Sequence, residues 1–233
     1  VRELELDMAP SSFDDQYQGC AKMMEEELAE LNRTEFATNS LYAEAWALAA
    51  AEWRSRRGRV PSLLPAPQAV ALLAYTQQGS LHRDFNAAVR RGGLSRRHYL
   101  ASFHFKALHF LLSRALATLR ATQGPGCHQV YRGVKGIRFN ARAGSRIRFG
   151  HFASASTRNS SAEAFGQDTF FRLETCYGAA IRDFSFYPEE EEVLIPPFES
   201  FEVVDARQAA GRALIRLRSR AALSNHNCEF LKG

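Results

Sequence analysis

An α+β architecture, with a helical N-terminal half packed on a mostly antiparallel β-sheet core, is predicted for this 233-residue chain by three observations. Apolar residues recur at spacings of three and four through the first half, the period of a buried helix face. From Cys127 onward Val, Ile, Phe and Tyr recur instead with period two, in short runs broken by Gly, Asn, Pro and Asp. The helices precede the strands, which is the order of segregated layers rather than of alternating βαβ units. The length suits one substantial core, so residues 1–233 are expected to form one domain, mainly helical over 1–126 and β-rich over 127–233.

The elements follow in order. Ser12 and Asp15 have the spacing of a capping box. Phe13, Tyr17, Cys20, Met24, Leu28 and Leu31 then make one apolar helical stripe, with Lys22, Glu26 and Glu30 opposite. A second helix is expected after Thr34, with Tyr42, Trp46, Ala49 and Trp53 inward as core residues and an end at Gly58. Pro61, Pro65 and Pro67 make residues 58–68 a connector. Val70-Ala71-Leu72-Leu73-Ala74-Tyr75 is a buried run too short to distinguish helix from strand. Ser80 caps a short helix through Leu81, Phe85, Ala88 and Val89, closed by Gly92-Gly93. Ser95 opens another helical region, buried along Leu108, Leu111, Leu112, Ala115 and Leu119 and ended by Gly124-Pro125-Gly126. Strands are expected at 128–134, 145–153, 168–177, 192–196, 198–204, 212–218 and 227–231, with a short helix at about 160–166. In the second strand Ile147 and Phe149 alternate with Arg146 and Arg148.

Composition narrows the class. Hydrophobic residues make up 45% and charged residues 24%, a globular balance that argues against disorder. A net charge of +5 and a pI near 9.2 suit anionic partners without choosing among them. Basic residues are scattered rather than interleaved with aromatics, so no nucleic-acid site is indicated. No apolar run approaches the roughly 20 residues that span a bilayer. The chain opens at Val1 rather than Met, as a processed or trimmed chain would. Cys20, Cys127, Cys176 and Cys228 never form a C-x-x-C, which argues against zinc, and their spacing leaves three pairings open. With the sequons Asn32-Arg33-Thr34 and Asn159-Ser160-Ser161, an even cysteine count points to a secreted, disulfide-bonded glycoprotein.

Three pieces of the β-rich half carry chemistry. In Val130-Tyr131-Arg132-Gly133-Val134 an Arg lies inside an apolar strand, where an unpaired charge is costly, so an anionic partner is implied. A salt bridge to a glutamate would meet that need equally well. In Gly150-His151-Phe152-Ala153-Ser154-Ala155-Ser156-Thr157 two serines share a strand face that small side chains leave open. An ordinary polar strand end would look the same. The third piece is the acidic run Glu189-Glu190-Glu191-Glu192 before Val193-Leu194-Ile195-Pro196-Pro197. In a strand, alternate residues share a face, which groups Glu190 with Glu192 and Glu189 with Glu191. A bare acidic run also reads as a solvated loop.

Together these residues form the ordered Arg, Ser-x-Ser, Glu-x-Glu pattern of the arginine-specific mono-ADP-ribosyltransferases, and the chain resembles the vertebrate extracellular members of that family. Further blocks carry the resemblance across nearly the whole chain: Phe13-Asp14-Asp15-Gln16-Tyr17 with Gly19-Cys20, Leu72-Leu73-Ala74-Tyr75-Thr76, Phe85-Asn86-Ala87-Ala88-Val89-Arg90 and Phe105-Lys106-Ala107-Leu108-His109-Phe110.

The resemblance implies an ADP-ribosyltransferase-like fold and a secreted or surface-anchored enzyme. It implies NAD+ or NADP+ as co-substrate, no metal, and arginine-bearing proteins as acceptors. Nicotinamide is released through an oxocarbenium-like transition state, as in glycoside hydrolysis. Arg132 would hold the pyrophosphate with its planar, permanently charged fork. Gly133 would leave room for backbone contacts to the nicotinamide amide. Ser154 would sit near the ribose and brace the catalytic glutamate. Glu192, immediately before Val-Leu-Ile-Pro, would stabilise the developing positive charge. Glu190 would orient the guanidinium and accept its proton. Tyr75, Phe165 and Ser185 match further cofactor-binding positions, although a core Phe would explain Phe165 equally well. The resemblance also pairs Cys20 with Cys228, tying the first helix to the last strand, and Cys127 with Cys176. No histidine is required, and His104 and His109 read as packing or surface residues. A monomer is expected. Competing readings are an NAD+ glycohydrolase, with water as acceptor, and a catalytically silent extracellular binding module.

Overall fold

The computed structural model describes residues 1–56, 58–59 and 63–232. Pro61 of the expected connector lies outside the described residues. The helical half comprises α1 (Ala21–Thr38), α2 (Ser40–Arg56), α3 (Ala66–Thr76), α4 (Leu81–Arg91), α5 (Arg96–Ser102) and α6 (Lys106–Gln123). The ambiguous run at 70–75 is helical: Gln68 through Tyr75 are all buried in α3, and a helix that is apolar all round belongs inside a core. α3 and α6 form the centre of the larger hydrophobic cluster. Of the two tryptophans, Trp53 is buried in that cluster and Trp46 packs half-buried against it, beside Phe36 and Tyr42.

The first apolar stripe is not one helix. Phe13, Tyr17 and Cys20 are buried as expected, but α1 begins only at Ala21. Side-chain hydrogen bonds replace the helical ladder over residues 12–19. The Ser12 hydroxyl donates to the Gly150 carbonyl at 2.8 Å rather than capping a helix. Asp15 accepts the amides of Tyr17, Cys228 and Glu229 at 2.8–3.0 Å. His109, fully buried, bonds the Tyr17 hydroxyl through Nδ1 at 2.6 Å and the Phe13 carbonyl through Nε2 at 2.9 Å. Its Nε2–H therefore donates and its Nδ1 accepts, and burial pushes its pKa down to about 3. Ser80 precedes α4 without a side-chain cap, whereas the Ser95 hydroxyl accepts the His98 amide before α5.

The β-rich half adds β2 (His128–Val134), β3 (Ile137–Asn140), β4 (Arg146–Arg148), β5 (Ala153–Ser156), α7 (Asn159–Phe165), β6 (Thr169–Thr175), β7 (Ala179–Ala180), β8 (Glu192–Ile195), β9 (Glu199–Ala209) and β10 (Arg212–Ala222). The eight-stranded sheet runs β4-β9-β10-β6-β2-β5-β8-β7, antiparallel except where β10 meets β6. An N-terminal strand, β1 (Arg2–Glu5), pairs with β3 in a separate two-stranded sheet. The expected strand at 145–153 splits into β4 and β5. The expected strand at 227–231 is a 3-10 turn over Glu229–Leu231, entered through Cys228 at φ 58.

Alternation with Ile147 and Phe149 does not place Arg148 in water. Its side chain is fully buried, and Nη1 meets Asp14 Oδ2 at 2.6 Å. It also donates to the carbonyls of Met8, Ala9 and Leu223 at 2.7–2.9 Å, clamping the N-terminal segment and the end of β10 onto β4.

Disulfides join Cys20 to Cys228 and Cys127 to Cys176. The first ties the start of α1 to the C-terminal turn, not to a strand. The second closes β2 onto the end of β6. Glu174 lies within ligand distance of the second pair, but both sulfurs there are bonded to each other. Asn32 of the first sequon sits on α1 and accepts the Tyr42 hydroxyl at 2.6 Å, whereas Asn159 is exposed at the first turn of α7.

Candidate active site

Three adjacent strands bring the singled-out residues together. β2 carries Arg132, its neighbour β5 carries Ser154 and Ser156, and β8 carries Glu192. In register, Ser156 lies opposite Glu192 and Ser154 opposite Leu194. The Arg132 guanidinium donates through Nη1 to the Ser154 carbonyl at 2.8 Å and lies 5.4 Å from the Phe149 ring centre. Its Nε is buried with no partner among the described residues. Burial lowers the Arg132 pKa, with Tyr75 and Glu192 opposing the shift. A half-buried cation with a spare, buried donor is a place for an anion.

The glutamates converge by a different route from strand alternation. Pro188–Glu190 is a 3-10 turn, and Glu191 takes the left-handed conformation at φ 46 before β8 begins at Glu192. The reversal at Glu191 lets Glu190 and Glu192 line one cleft although only Glu192 is in a strand. The Ser156 hydroxyl donates to the Glu190 carbonyl at 2.5 Å and accepts the Arg158 amide at 2.9 Å. Glu191 instead faces Thr157, whose hydroxyl donates to it at 3.2 Å, and Glu189 is exposed.

Burial is the main force on the Glu192 carboxyl, pushing its pKa up to about 7. A hydrogen bond from Ser154 and the charge of Arg132 pull it back, while Glu190 adds to the rise. The half-buried Glu190 is also raised, by burial and then by Glu189. The site thus holds two carboxyls above the ordinary range beside one permanent cation.

The cleft measures about 420 Å³. Its other walls come from both halves of the chain. Tyr75 of α3 donates its hydroxyl to the Phe152 carbonyl at 2.9 Å and accepts Asn86 Nδ2 at 3.0 Å. Burial pushes the Tyr75 hydroxyl up to about 12, so it stays neutral. Asn86 Oδ1 is buried without a partner among the described residues, a second unmet polar atom at this wall.

Gly133 also lines the cleft. A Cβ there would meet the Ala162 carbonyl oxygen at 2.1 Å and that of Gly166 at 2.3 Å, so glycine is what lets α7 press onto β2. Gly166 returns the contact at φ 148, where a Cβ would strike the Lys135 amide. This close approach carries Phe165 to the cleft wall. There its ring is 52% exposed, which rules out a core role.

Residues 6–225 match the family model described as NAD:arginine ADP-ribosyltransferase. The chain belongs to that family. It is 56% identical over 234 residues to the erythroblast NAD(P)(+)–arginine ADP-ribosyltransferase of Gallus gallus, spanning 100% of this chain and 78% of that protein. It is 51% identical over 248 residues to the GPI-linked NAD(P)(+)–arginine ADP-ribosyltransferase 1 of Homo sapiens, spanning 99% and 76%. The crystal structure of the eukaryotic mono-ADP-ribosyltransferase ART2.2 superposes with a TM-score of 0.84 at 38% identity, covering 97% of this chain and 98% of that one. Variants of ART2.2 have been solved in complex with NADH and with NAD.

Ser185 is the one singled-out residue that stands away from the cleft of this ADP-ribosyltransferase. It is fully buried, its hydroxyl accepts the Tyr187 amide at 2.9 Å, and its carbonyl accepts Arg56 Nη1 at 2.8 Å. It shapes the turn that leads to Glu190. Conversely, Asn86 and Tyr187 line the cleft without having been singled out. Asn86 had a legible signal, being a polar residue in the otherwise apolar block Phe85 to Val89. Tyr187 had none beyond its place before the acidic run.

Proposed function

We propose that this ADP-ribosyltransferase uses Arg132, Ser154, Glu190 and Glu192 to pass ADP-ribose from NAD+ to the guanidinium of arginine in proteins. The observation that carries the assignment is the convergence of these four residues on one cleft, with the Arg132 Nε unpaired and Glu192 poised near neutrality. NAD+, when bound, supplies a ribosyl carbon that becomes electrophilic as nicotinamide departs. Arg132 directs its free donors at the pyrophosphate, for which a planar cationic fork is suited. Gly133 and the exposed Phe165 ring, pressed together by the α7 contact, offer a backbone edge and an aromatic face to the nicotinamide end. Asn86 Oδ1 accepts a hydrogen bond from the dinucleotide, and Tyr75 holds Asn86 in place.

Glu192 stabilises the developing positive charge, and arrival of that charge draws its raised pKa down so that it acts ionised. Ser154 fixes the Glu192 carboxyl by hydrogen bonding. Glu190, at the more open rim, orients the acceptor guanidinium and takes its proton; its raised pKa makes it a better base. A free guanidinium has a pKa above about 12, so the transfer needs such a group.

Because Tyr75 and Asn86 come from the helical part and the other groups from the β-rich part, residues 1–233 are taken as one catalytic unit. An extracellular location fits the two disulfides and the GPI-linked name of the human relative. Separate measurement of nicotinamide release and of ADP-ribosyl transfer to agmatine tests the roles. Glu190→Gln should keep NAD+ cleavage within a few-fold while abolishing transfer, because cleavage depends on Glu192 and transfer on both. Equal loss of the two activities would overturn that division.

A further inference from the structure

The outer face of the sheet, opposite the strand face that carries Arg132, has a charge pattern of its own. Strand alternation turns Val130 and Arg132 to one face of β2 and Gln129 and Tyr131 to the other. The same alternation points Arg172 out of β6 and Arg216 and Arg218 out of β10, while Leu173, Ile215 and Leu217 are buried. The pairing lines these residues up in rows. Tyr131 faces Arg172, and Arg172 faces Arg216. In the next row Gln129 faces Glu174, Glu174 faces Arg218, and Arg218 faces Glu202. They line an open groove of about 430 Å³.

In the second row two acids, Glu174 and Glu202, stand in register with Arg218; in the first, Asp205 stands opposite Arg216, and Arg172 has only Tyr131 and Arg216 beside it. Arg172 and Arg216 stand directly opposite on neighbouring strands, about 4.8 Å apart at the backbone. Like charges in that position are destabilising. Neither has an ion pair among the described residues, and Asp205, opposite Arg216 on β9, makes none with it. Both arginines are exposed, and the exposed Arg218, which makes no ion pair with Glu174 or Glu202 among the described residues, lies in the adjoining row. An anion seated across Arg172, Arg216 and Arg218 would relieve the repulsion and receive paired guanidinium donors. The half-exposed Tyr131 ring and the Gln129 amide at the same groove add a flat apolar surface and a neutral hydrogen-bonding group, which suits a sugar ring.

We infer that this outer face binds a sulfated polysaccharide across the Tyr131–Arg172–Arg216 row. The choice of sulfated glycan among polyanions rests on the extracellular location proposed above, whereas the anion site rests on the sheet register alone. Such a site would hold the enzyme on a glycan-rich surface while the cleft on the other face stays free.

The test uses the full chain and a size-defined heparin oligosaccharide, with affinity measured by surface plasmon resonance at 0.15 M salt. The triple variant Arg172→Ala/Arg216→Ala/Arg218→Ala should bind about tenfold or more weakly. Arg54→Ala/Arg91→Ala/Arg97→Ala removes equal charge from exposed positions on the helices and should change affinity by less than about threefold. NAD+ cleavage should be unchanged in the outer-face variant, which also reports that it folds. Three results would overturn the inference: equal weakening in both triple variants, no binding by the native chain, or undiminished binding of the desulfated oligosaccharide. Binding to phosphatidylserine vesicles but not to heparin, lost in the outer-face variant, would instead reassign the site to a lipid surface. Loss of NAD+ cleavage in the native chain would refute the catalytic reading without touching this one.

Discussion

Arg132 and Arg148 are both arginines drawn inward in the β-rich half, the first half-buried and the second fully buried, and their surroundings differ in kind. Arg148 pairs with Asp14 and spends its other donors on three backbone carbonyls. Arg132 makes one hydrogen bond to a carbonyl, rests on an aromatic ring and keeps a buried Nε without a partner. The difference teaches that burial of a charge does not mark a functional site by itself. Unmet hydrogen-bonding capacity that lines a cleft is the better pointer: buried atoms of Arg96, Tyr99, Arg114 and Glu229 also lack a hydrogen-bond partner among the described residues, but only Arg132 Nε and Asn86 Oδ1 do so at the wall of this cleft. Arg148 holds the N-terminal segment in place, and Arg132 keeps a donor for the phosphate proposed above.

The comparison predicts its largest effect at Arg148. Arg148→Ala leaves Asp14 buried and unpaired, which should cost about 3–5 kcal/mol in chemical denaturation. A loss below about 1 kcal/mol would mean that the clamp is not structural.

Glu192→Gln should lower the rate of NAD+ cleavage by about two to three orders of magnitude, the usual consequence of removing a preorganised charge-stabilising group. The same change should stabilise the protein above neutral pH. The Glu192 pKa is raised from 4.5 to about 7 in the folded chain, so folding takes up a proton between those values. Its contribution to stability is therefore complete below about pH 4.5 and is lost as pH rises to about 7. Glutamine removes that penalty, roughly 3 kcal/mol at pH 8 and close to nothing at pH 4. Thermal unfolding at the two pH values checks it, and an unchanged difference between native and variant would count against a buried Glu192.

A smaller effect concerns the free enzyme. The kcat/KM for NAD+ should reach a plateau above about pH 7 and fall about tenfold per unit below it, since Glu192 acts ionised. A limb near pH 4.5 would place the carboxyl in water rather than in the cleft wall.

Much of this arrangement was legible in the sequence, for identifiable reasons. β2 stands out because Val130, Arg132 and Val134 alternate cleanly, and its observed span coincides with the expected one. Glu192 stands out because an acidic run meets a strongly β-forming apolar segment. Only the family resemblance separated Glu190 and Glu192 from their neighbours. The alternation argument would have placed Glu190 in a strand, and the chain instead turns there through a left-handed Glu191.

What escaped was decided by long-range hydrogen bonds. The Phe13, Tyr17, Cys20 stripe has helical spacing, but Asp14, Asp15 and His109 tie that segment to residues more than ninety positions away. The same bonds to Asp15 turn residues 228–231 away from a strand. Arg148 looked like the outward half of an alternating strand because its partner, Asp14, lies far off in the chain. Ser185 matched a family position, and its side chain is used within its own turn.

The unmet capacity of Arg132 is the centre of the account, and calorimetric titration of NAD+ into Arg132→Ala tests it most directly. The variant should fold with a stability within about 1 kcal/mol of the native chain, because it loses one hydrogen bond and one desolvated charge together. Its affinity for NAD+ should fall by at least about tenfold, the weight of a charge-assisted bidentate contact to phosphate. Undiminished NAD+ binding, or a collapse in stability like that expected at Arg148, would contradict the account.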